Sequence, residues 1–223
     1  MKVYILYHNE EKSREYAKFA AASCSECKME YELVEGFTLP TDPNDAWNSI
    51  GLKRHIERNN LVPKAQLCSA GHAKIWKMIA DSGEDGVVFE HDAVMLHEIN
   101  DIEIPDNMIC VLGYKVKDPQ NYNHELAGPP DSIRDLAGHE GAHAYAITPK
   151  TAQKLLDEIE ETGVWSAVDN QFFLRDQRKS KVPMGILDPT PAIGWLRGST
   201  IWNNAAEVNY EFIDSFRDHY RRA

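Results

Sequence analysis

Five short, continuously apolar runs constrain this chain more than any other feature. They are KVYILY (2–7), GVVF (86–89), MICVL (108–112), AHAYAI (142–147) and VPMGIL (182–187). None alternates between apolar and polar residues, which is the pattern of strands buried on both faces. A shorter run, 31–34, reads as a second strand ended by Glu35-Gly36. Between the runs lie helical periodicities. Residues 10–25 carry Tyr16, Phe19 and Ala20 at helical spacing, and 44–58 is expected to be partly helical. Over 63–81, Pro63 suits a first turn, and Cys68, His72, Ile75 and Ile79 share one face. Thr148-Pro149 opens a further helix with Ala152, Leu155, Leu156 and Ile159 inward, and 168–174 is expected to be helical. Strands alternating with helices predict an α/β fold, with a mainly parallel central sheet and helices on both faces. At 223 residues the chain is expected to form one domain over 1–223.

In such a sheet ligands bind at the carboxyl ends of strands. The run 86–89 stops there in charge, at Glu90-His91-Asp92. On an extended strand Glu90 and Asp92 point the same way and repel each other unless a cation lies between them. Oxygen-rich sites suit Mn²⁺ or Mg²⁺, whereas two solvated charges closing a strand are the plainer alternative. His91 is either a further ligand or points the other way. His72, on an apolar helix face, reads first as a satisfied core histidine, and His143, in or beside a strand, reads the same way. Asp169 stands at a loop-to-helix junction, as a helix cap or a general base. Residues 115–139 are polar and rich in proline, and a loop of this length in a compact domain is usually functional or disordered.

Net charge narrows the partners. At −11, with no basic stripe, the chain is not built for nucleic acid, although a metal ion can still neutralise a bound diphosphate. The opening run turns polar at His8, too soon for a signal peptide, and no stretch reaches the length of a membrane span, so a soluble, cytoplasmic protein is expected. Cys24 and Cys27 form a C-x-x-C with no second pair to complete a zinc site. They are expected, with Cys68 and Cys110, to be reduced structural thiols. Phosphate-loop, Rossmann, α/β-hydrolase and zincin motifs are absent.

The order of the pieces carries a resemblance. Cys68-Ser69-Ala70-Gly71-His72-Ala73-Lys74-Ile75-Trp76, followed by Val87-Val88-Phe89-Glu90-His91-Asp92-Ala93-Val94, resembles glycosyltransferase family 25. That family includes bacterial lipopolysaccharide and procollagen galactosyltransferases. Its members show a G-C-x-x-S-H-x-x-x-W helix and then an apolar strand ending E-D-D-V. Gly141-Ala142-His143-Ala144-Tyr145-Ala146-Ile147 with Ala152-Gln153-Lys154-Leu155-Leu156, then Asp169, follow in family order. Pro191-Ala192-Ile193 and Ser199-Thr200-Ile201 resemble its terminal pattern, so the likeness spans 63–201. The departures are His91 for the middle aspartate, Gly71 for a serine and Leu67 for a glycine. The family's N-L-D-R is poorly kept at Ile5-Leu6-Tyr7-His8.

The resemblance implies a GT-A type, Rossmann-like sandwich and a metal-dependent, inverting transfer from a UDP-sugar, galactose first. The acceptor would be a glycan, lipid-linked sugar or protein, as in lipopolysaccharide biosynthesis. It implies Mn²⁺ (or Mg²⁺) held by Asp92 with Glu90 or His91, and Asp169 as the base. Tyr7, His8, His72 and Glu90 would lie against the donor, and 115–139 would form an acceptor loop or lid. Two rival readings remain: a silent nucleotide- or glycan-binding relative, suggested by His91, and a metal-dependent phosphoester hydrolase using His91, Asp92 and His143.

Overall fold

A computed structural model describes residues 1–52, 62–99, 102–116 and 123–195. In chain order the elements are β1 (Lys2–Tyr7), α1 (Glu11–Glu26), β2 (Tyr31–Glu35), α2 (Pro43–Ser49) and α3 (Pro63–Ser82). There follow β3 (Gly86–Glu90), β4 (Ala93–Met95), β5 (Ile109–Val111), β6 (Lys115–Val116), β7 (Ser132–Asp135) and β8 (Ala144–Ile147). α4 (Pro149–Thr162), β9 (Met184–Asp188) and β10 (Ala192–Trp195) complete the set.

A seven-stranded sheet, ordered β2-β1-β3-β8-β5-β9-β7, forms the centre, and β4, β10 and β6 make a three-stranded sheet beside it. The expected α/β layers are present, and five strands of the large sheet, β2, β1, β3, β5 and β9, run the same way, while β8 and β7 run against them. β1 pairs parallel with β2 and β3, as does β5 with β9, whereas β8 runs antiparallel between β3 and β5, and β7 runs antiparallel on β9. The carboxyl end of β5 and the amino end of β8 lie at the same end of the sheet, so the connection between them needs no crossover helix. That connection is the polar segment 115–139. Among its described residues it is not structureless: it supplies β6, a 3₁₀ turn (His124–Leu126) and the edge strand β7.

The continuous apolar runs bury both faces of their strands. Tyr4, Leu6, Val88, Tyr145 and Ile186 pack with the apolar faces of α2, α3 and α4. Their neighbours Val3, Ile5, Phe89, Ala146 and Leu187 pack on the other face with Ala17, Ala20 and Cys24 of α1, and with Ala93, Met95 and Ala192 of the small sheet. Local chemistry sets the helix ends. Asp42 caps α2 through the Asn44 amide, Thr148 caps α4 through the Thr151 amide, and Gly83 closes α3 at φ 73°. α3 lies close on β1: a Cβ at Gly71 would stand 3.0 Å from Leu6 Cδ1, so the missing side chain there fits the closeness of the packing. The expected helical stretch 44–58 is realised as α2, and its part beyond Leu52 lies outside the described residues, as does Ser199-Thr200-Ile201. No helix among the described residues is long and apolar enough to cross a membrane.

Candidate functional site

The chain leaves the large sheet at Glu90 and enters the small one at Ala93, so His91 and Asp92 form the turn that joins two sheets. That turn, the carboxyl end of β5 and the amino end of β8 meet at one place. The Glu90 amide donates to the His143 carbonyl at 2.8 Å, and the Leu112 amide donates to the Ala144 carbonyl at 3.0 Å. Because the strand stops at Glu90, the simple alternation expected for Glu90 and Asp92 does not run through the triplet.

Glu90 follows the parity of Val88 and faces α3. There its Oε1 lies 3.2 Å from His72 Nε2. His72 is fully buried and uses its other nitrogen as well, with Nδ1 2.9 Å from the Tyr145 hydroxyl, which accepts in turn from Trp76 Nε1 at 2.6 Å. Both readings of His72 therefore meet: it is a satisfied core histidine, and it contacts the acidic strand end. Burial acts to raise the Glu90 carboxyl, yet the hydrogen bond from His72, aided by Lys115 and His143, holds it below the usual carboxylate range. Its side chain remains 24% exposed, so it stays within reach of a ligand.

Asp92 differs. Its Oδ1 is buried without a hydrogen-bond partner. Burial, with the Glu90 charge adding to it, raises its carboxyl above the ordinary value, against the lowering influence of His91 and Lys115. Asp169 opens a single π-helical turn (Asp169–Phe173) after Val168, and its Oδ1 accepts from the Asn170 amide at 2.9 Å. Burial and the Glu90 charge raise Asp169 too. The buried Cys68 thiol is pushed up by burial and then by Glu90, Asp169 and Asp92, which marks one shared acidic neighbourhood. Among the described residues, ligand atoms of Cys68, His72 and Glu90 lie within 4.8 Å of one another.

His91 goes to the opposite side. Its ring stacks on Tyr16 of α1 at 5.7 Å and meets His8 edge-on at 6.1 Å. Burial, and then the neighbouring His91, push His8 down to about 4, and its buried Nδ1 has no partner. The His8 amide is held by Ser13 Oγ at 2.8 Å. His8 also lines a narrow cleft with Glu10, Phe37, Thr38, Leu39, Lys64 and Leu67. Tyr7, at the end of β1, reaches Glu35 Oε2 through its hydroxyl at 3.4 Å.

Sequence reasoning missed Lys115, His139, Tyr145 and Trp76 as parts of this site. The Lys115 side chain passes over Gly141, where a Cβ would stand 2.4 Å from its Cε, and its charge acts on Glu90, Asp92 and Asp169 alike. Its place just past the buried run 108–112 is the signal that could have found it. His143 Nε2 lies 2.9 Å from the Gly113 carbonyl, and its ring centre is 5.2 Å from that of His139. Burial, then His139, push His143 down to about 3. The structure thus gathers Glu90, Asp92, Asp169 and His72 into one neighbourhood, with His91 and His8 on its α1 side.

The family model for glycosyltransferase family 25 (LPS biosynthesis protein) matches residues 2–172. No curated protein matches the chain significantly. Among solved structures, one similar fold is a glycosyltransferase involved in the glycosylation of the major capsid of PBCV-1, at 9% identity and TM-score 0.40 over the whole of both chains. Another is a Drosophila beta-1,4-galactosyltransferase 7 mutant in complex with manganese, UDP-Gal and xylobiose. It is 8% identical at TM-score 0.30, over 86% of this chain and 94% of that one.

Proposed function

Since this chain belongs to glycosyltransferase family 25, we propose that it moves a hexose, galactose first, from a UDP-sugar to a hydroxyl of a glycan, lipid-linked sugar or protein. The observation that supports this best is the shared neighbourhood of Glu90, Asp92 and Asp169 with the ammonium of Lys115 near the end of β3. A divalent cation fits these residues. They are hard oxygen donors, and the buried, unpartnered Oδ1 of Asp92 lies beside the Glu90 charge. Glu90 and Asp92 would hold Mn²⁺ or Mg²⁺, while His91, engaged with Tyr16 and His8, would line the donor side instead. When bound, the ion supplies Lewis-acid stabilisation of the leaving diphosphate.

The chain's own residues do the rest. Asp169, raised by burial and by Glu90, accepts the proton of the attacking acceptor hydroxyl. The hydroxyl oxygen bonds to the anomeric carbon as the bond from that carbon to UDP breaks, a single displacement that inverts the centre. Lys115 offers fixed positive charge to phosphate oxygens. Tyr7 and His8, at the end of β1, face the nucleotide side, and the described parts of the segment after β5, 115–116 and 123–139, border the acceptor.

The test is UDP release from a panel of UDP-sugars, each with and without Mn²⁺. Asp92→Asn and Asp169→Asn are each expected to lower turnover by about 100-fold or more while the thermal midpoint moves little. Full activity in Asp92→Asn would remove the metal assignment. Binding of a UDP-sugar with no transfer to any acceptor and no UDP release would favour the silent relative.

A further inference from the structure

Cys68, His72 and Glu90 look at first like a metal centre, with one atom each of sulfur, nitrogen and oxygen within 4.8 Å. The hydrogen bonds around them say otherwise. An indole nitrogen can only donate, so Trp76 Nε1 at 2.6 Å obliges the Tyr145 oxygen to accept. Tyr145 then has its own proton to place in a fully buried setting, and His72 Nδ1 at 2.9 Å stands to receive it. A neutral imidazole that accepts at Nδ1 carries its proton at Nε2. That proton points at Glu90 Oε1, 3.2 Å away. Were His72 to ligate a metal through Nε2, its proton would move to Nδ1, and Tyr145 would face two donors with its own proton unpaired. A buried donor without a partner is strongly disfavoured.

We propose that Trp76, Tyr145 and His72 form a directional hydrogen-bond relay which fixes His72 as an Nε2–H donor to Glu90. His72 is thereby withheld from metal binding and made a positioning residue for the Glu90 carboxylate. The relay spans α3 and β8, two elements that the chain brings together from far apart in sequence. It occupies Oε1 of Glu90 and leaves the exposed edge of that carboxylate for a ligand. The inference rests on reading Glu90 as a donor-site carboxylate, but its central claim, the tautomer, is measurable without substrate.

The experiment is long-range ¹H–¹⁵N correlation NMR on protein labelled at histidine nitrogen, with the His72 signals assigned by their loss in His72→Gln. An unprotonated Nδ1 and a protonated Nε2, both unchanged on titration with Zn²⁺, are expected. A protonated Nδ1, a doubly protonated ring, or an Nε2 signal that moves to a metal-bound position with Zn²⁺ would overturn the relay. Kinetics then separate positioning from mere packing. Tyr145→Phe is expected to lower kcat/KM for the UDP-sugar and to weaken Mn²⁺ activation, each by about tenfold or more, as lost support of a ligand does elsewhere. His72→Gln, which keeps a donor nitrogen for Glu90, is expected to retain more activity than His72→Ala at equal thermal stability. Unchanged Mn²⁺ activation in Tyr145→Phe, or equal activity in the two His72 variants, would refute the positioning role. If no protein, wild type included, releases UDP, the transfer reading fails while the tautomer result stands by itself.

Discussion

Consider His143→Gln and the response of stability to acid. In the folded protein Nε2 of His143 donates to the Gly113 carbonyl at 2.9 Å, while Nδ1 is buried with no partner. The ring lies against Gly194, where a Cβ would stand 2.4 Å from ring carbons, so there is no room for water or a counter-ion on that side. A second proton on Nδ1 would put a cation into this space beside His139 and Lys115. Burial, then His139, accordingly push the group from its ordinary 6.5 down to about 3.

The unfolded chain binds that proton near pH 6.5 and the folded chain near 3, so in between the unfolded state holds more protons and stability rises with pH. The contribution is complete above pH 6.5 and is lost as pH falls towards 3. Its slope is about 1.4 kcal/mol per pH unit inside the window, and the total lost between pH 7 and pH 4 is about 3 kcal/mol. Asp92, raised by burial, works in the opposite sense over part of this range, and His8, pushed down to about 4, works in the same sense. The difference between two proteins is therefore a cleaner measure than either profile. Urea unfolding of wild type and His143→Gln at half-unit steps from pH 7 to pH 4 gives that difference. Glutamine keeps a donor for Gly113 but cannot titrate, so the variant's profile is expected to be flatter by about one proton per molecule unfolded. Parallel profiles, whatever the offset at pH 7, would refute the claim that His143 is held neutral by burial.

Two further outcomes follow from packing and exposure. A Cβ at Gly113 would stand 1.6 Å from the Ala192 carbonyl oxygen, a backbone atom that no rotamer change can move. Gly113→Ala is expected to destabilise by about 3 kcal/mol or more, and a urea midpoint equal to wild type would disprove the close approach. Cys24 is buried, with its thiol pushed up to about 12 by burial and the neighbouring Cys27, which is itself half-buried. Native protein treated with iodoacetamide is expected to carry label on Cys27 well before Cys24, as mass spectrometry of peptides would read, and equal rates would contradict this environment.

The layers of the fold were legible because burial on both faces writes itself into sequence as unbroken apolar runs. β1, β3, β5, β8 and β9 fall within or closely on such runs, and Pro63, Thr148 and Pro149 mark helix starts. β6 is only two residues long, and β7 is an edge strand of mostly exposed residues, so each is specified by its partners rather than by its own composition. The acidic strand end was legible as a charge where an apolar run stops. Which way His91 faced was not, because it depends on the strand ending one residue earlier, at Glu90.

Strand direction explains the larger omission. An apolar run has no polarity, and alternation with helices argued for parallel neighbours, in which ligand contacts gather at carboxyl ends. β8 runs the other way, with Tyr145 opposite Val88 and Ala144 opposite Phe89. Its amino end, not its carboxyl end, therefore lies beside Glu90. A parallel β8 over the same span would carry His143 to the far end of β3 and set Tyr145 opposite Val87, on the other face of the sheet, leaving His72 Nδ1 and Trp76 Nε1 without that hydroxyl. Antiparallel insertion is thus what allows one strand to supply both the backbone neighbour of Glu90, through the His143 carbonyl, and the hydroxyl that orders the histidine beneath it. The same reversal returns the chain from β5 to β8 at this end of the sheet, which is how Lys115, next after β5 in the chain, reaches the carboxylates of β3 and its turn. A site that draws on the start of one strand and the ends of two others is invisible to a search of strand ends alone, yet it follows directly once the direction of β8 is known.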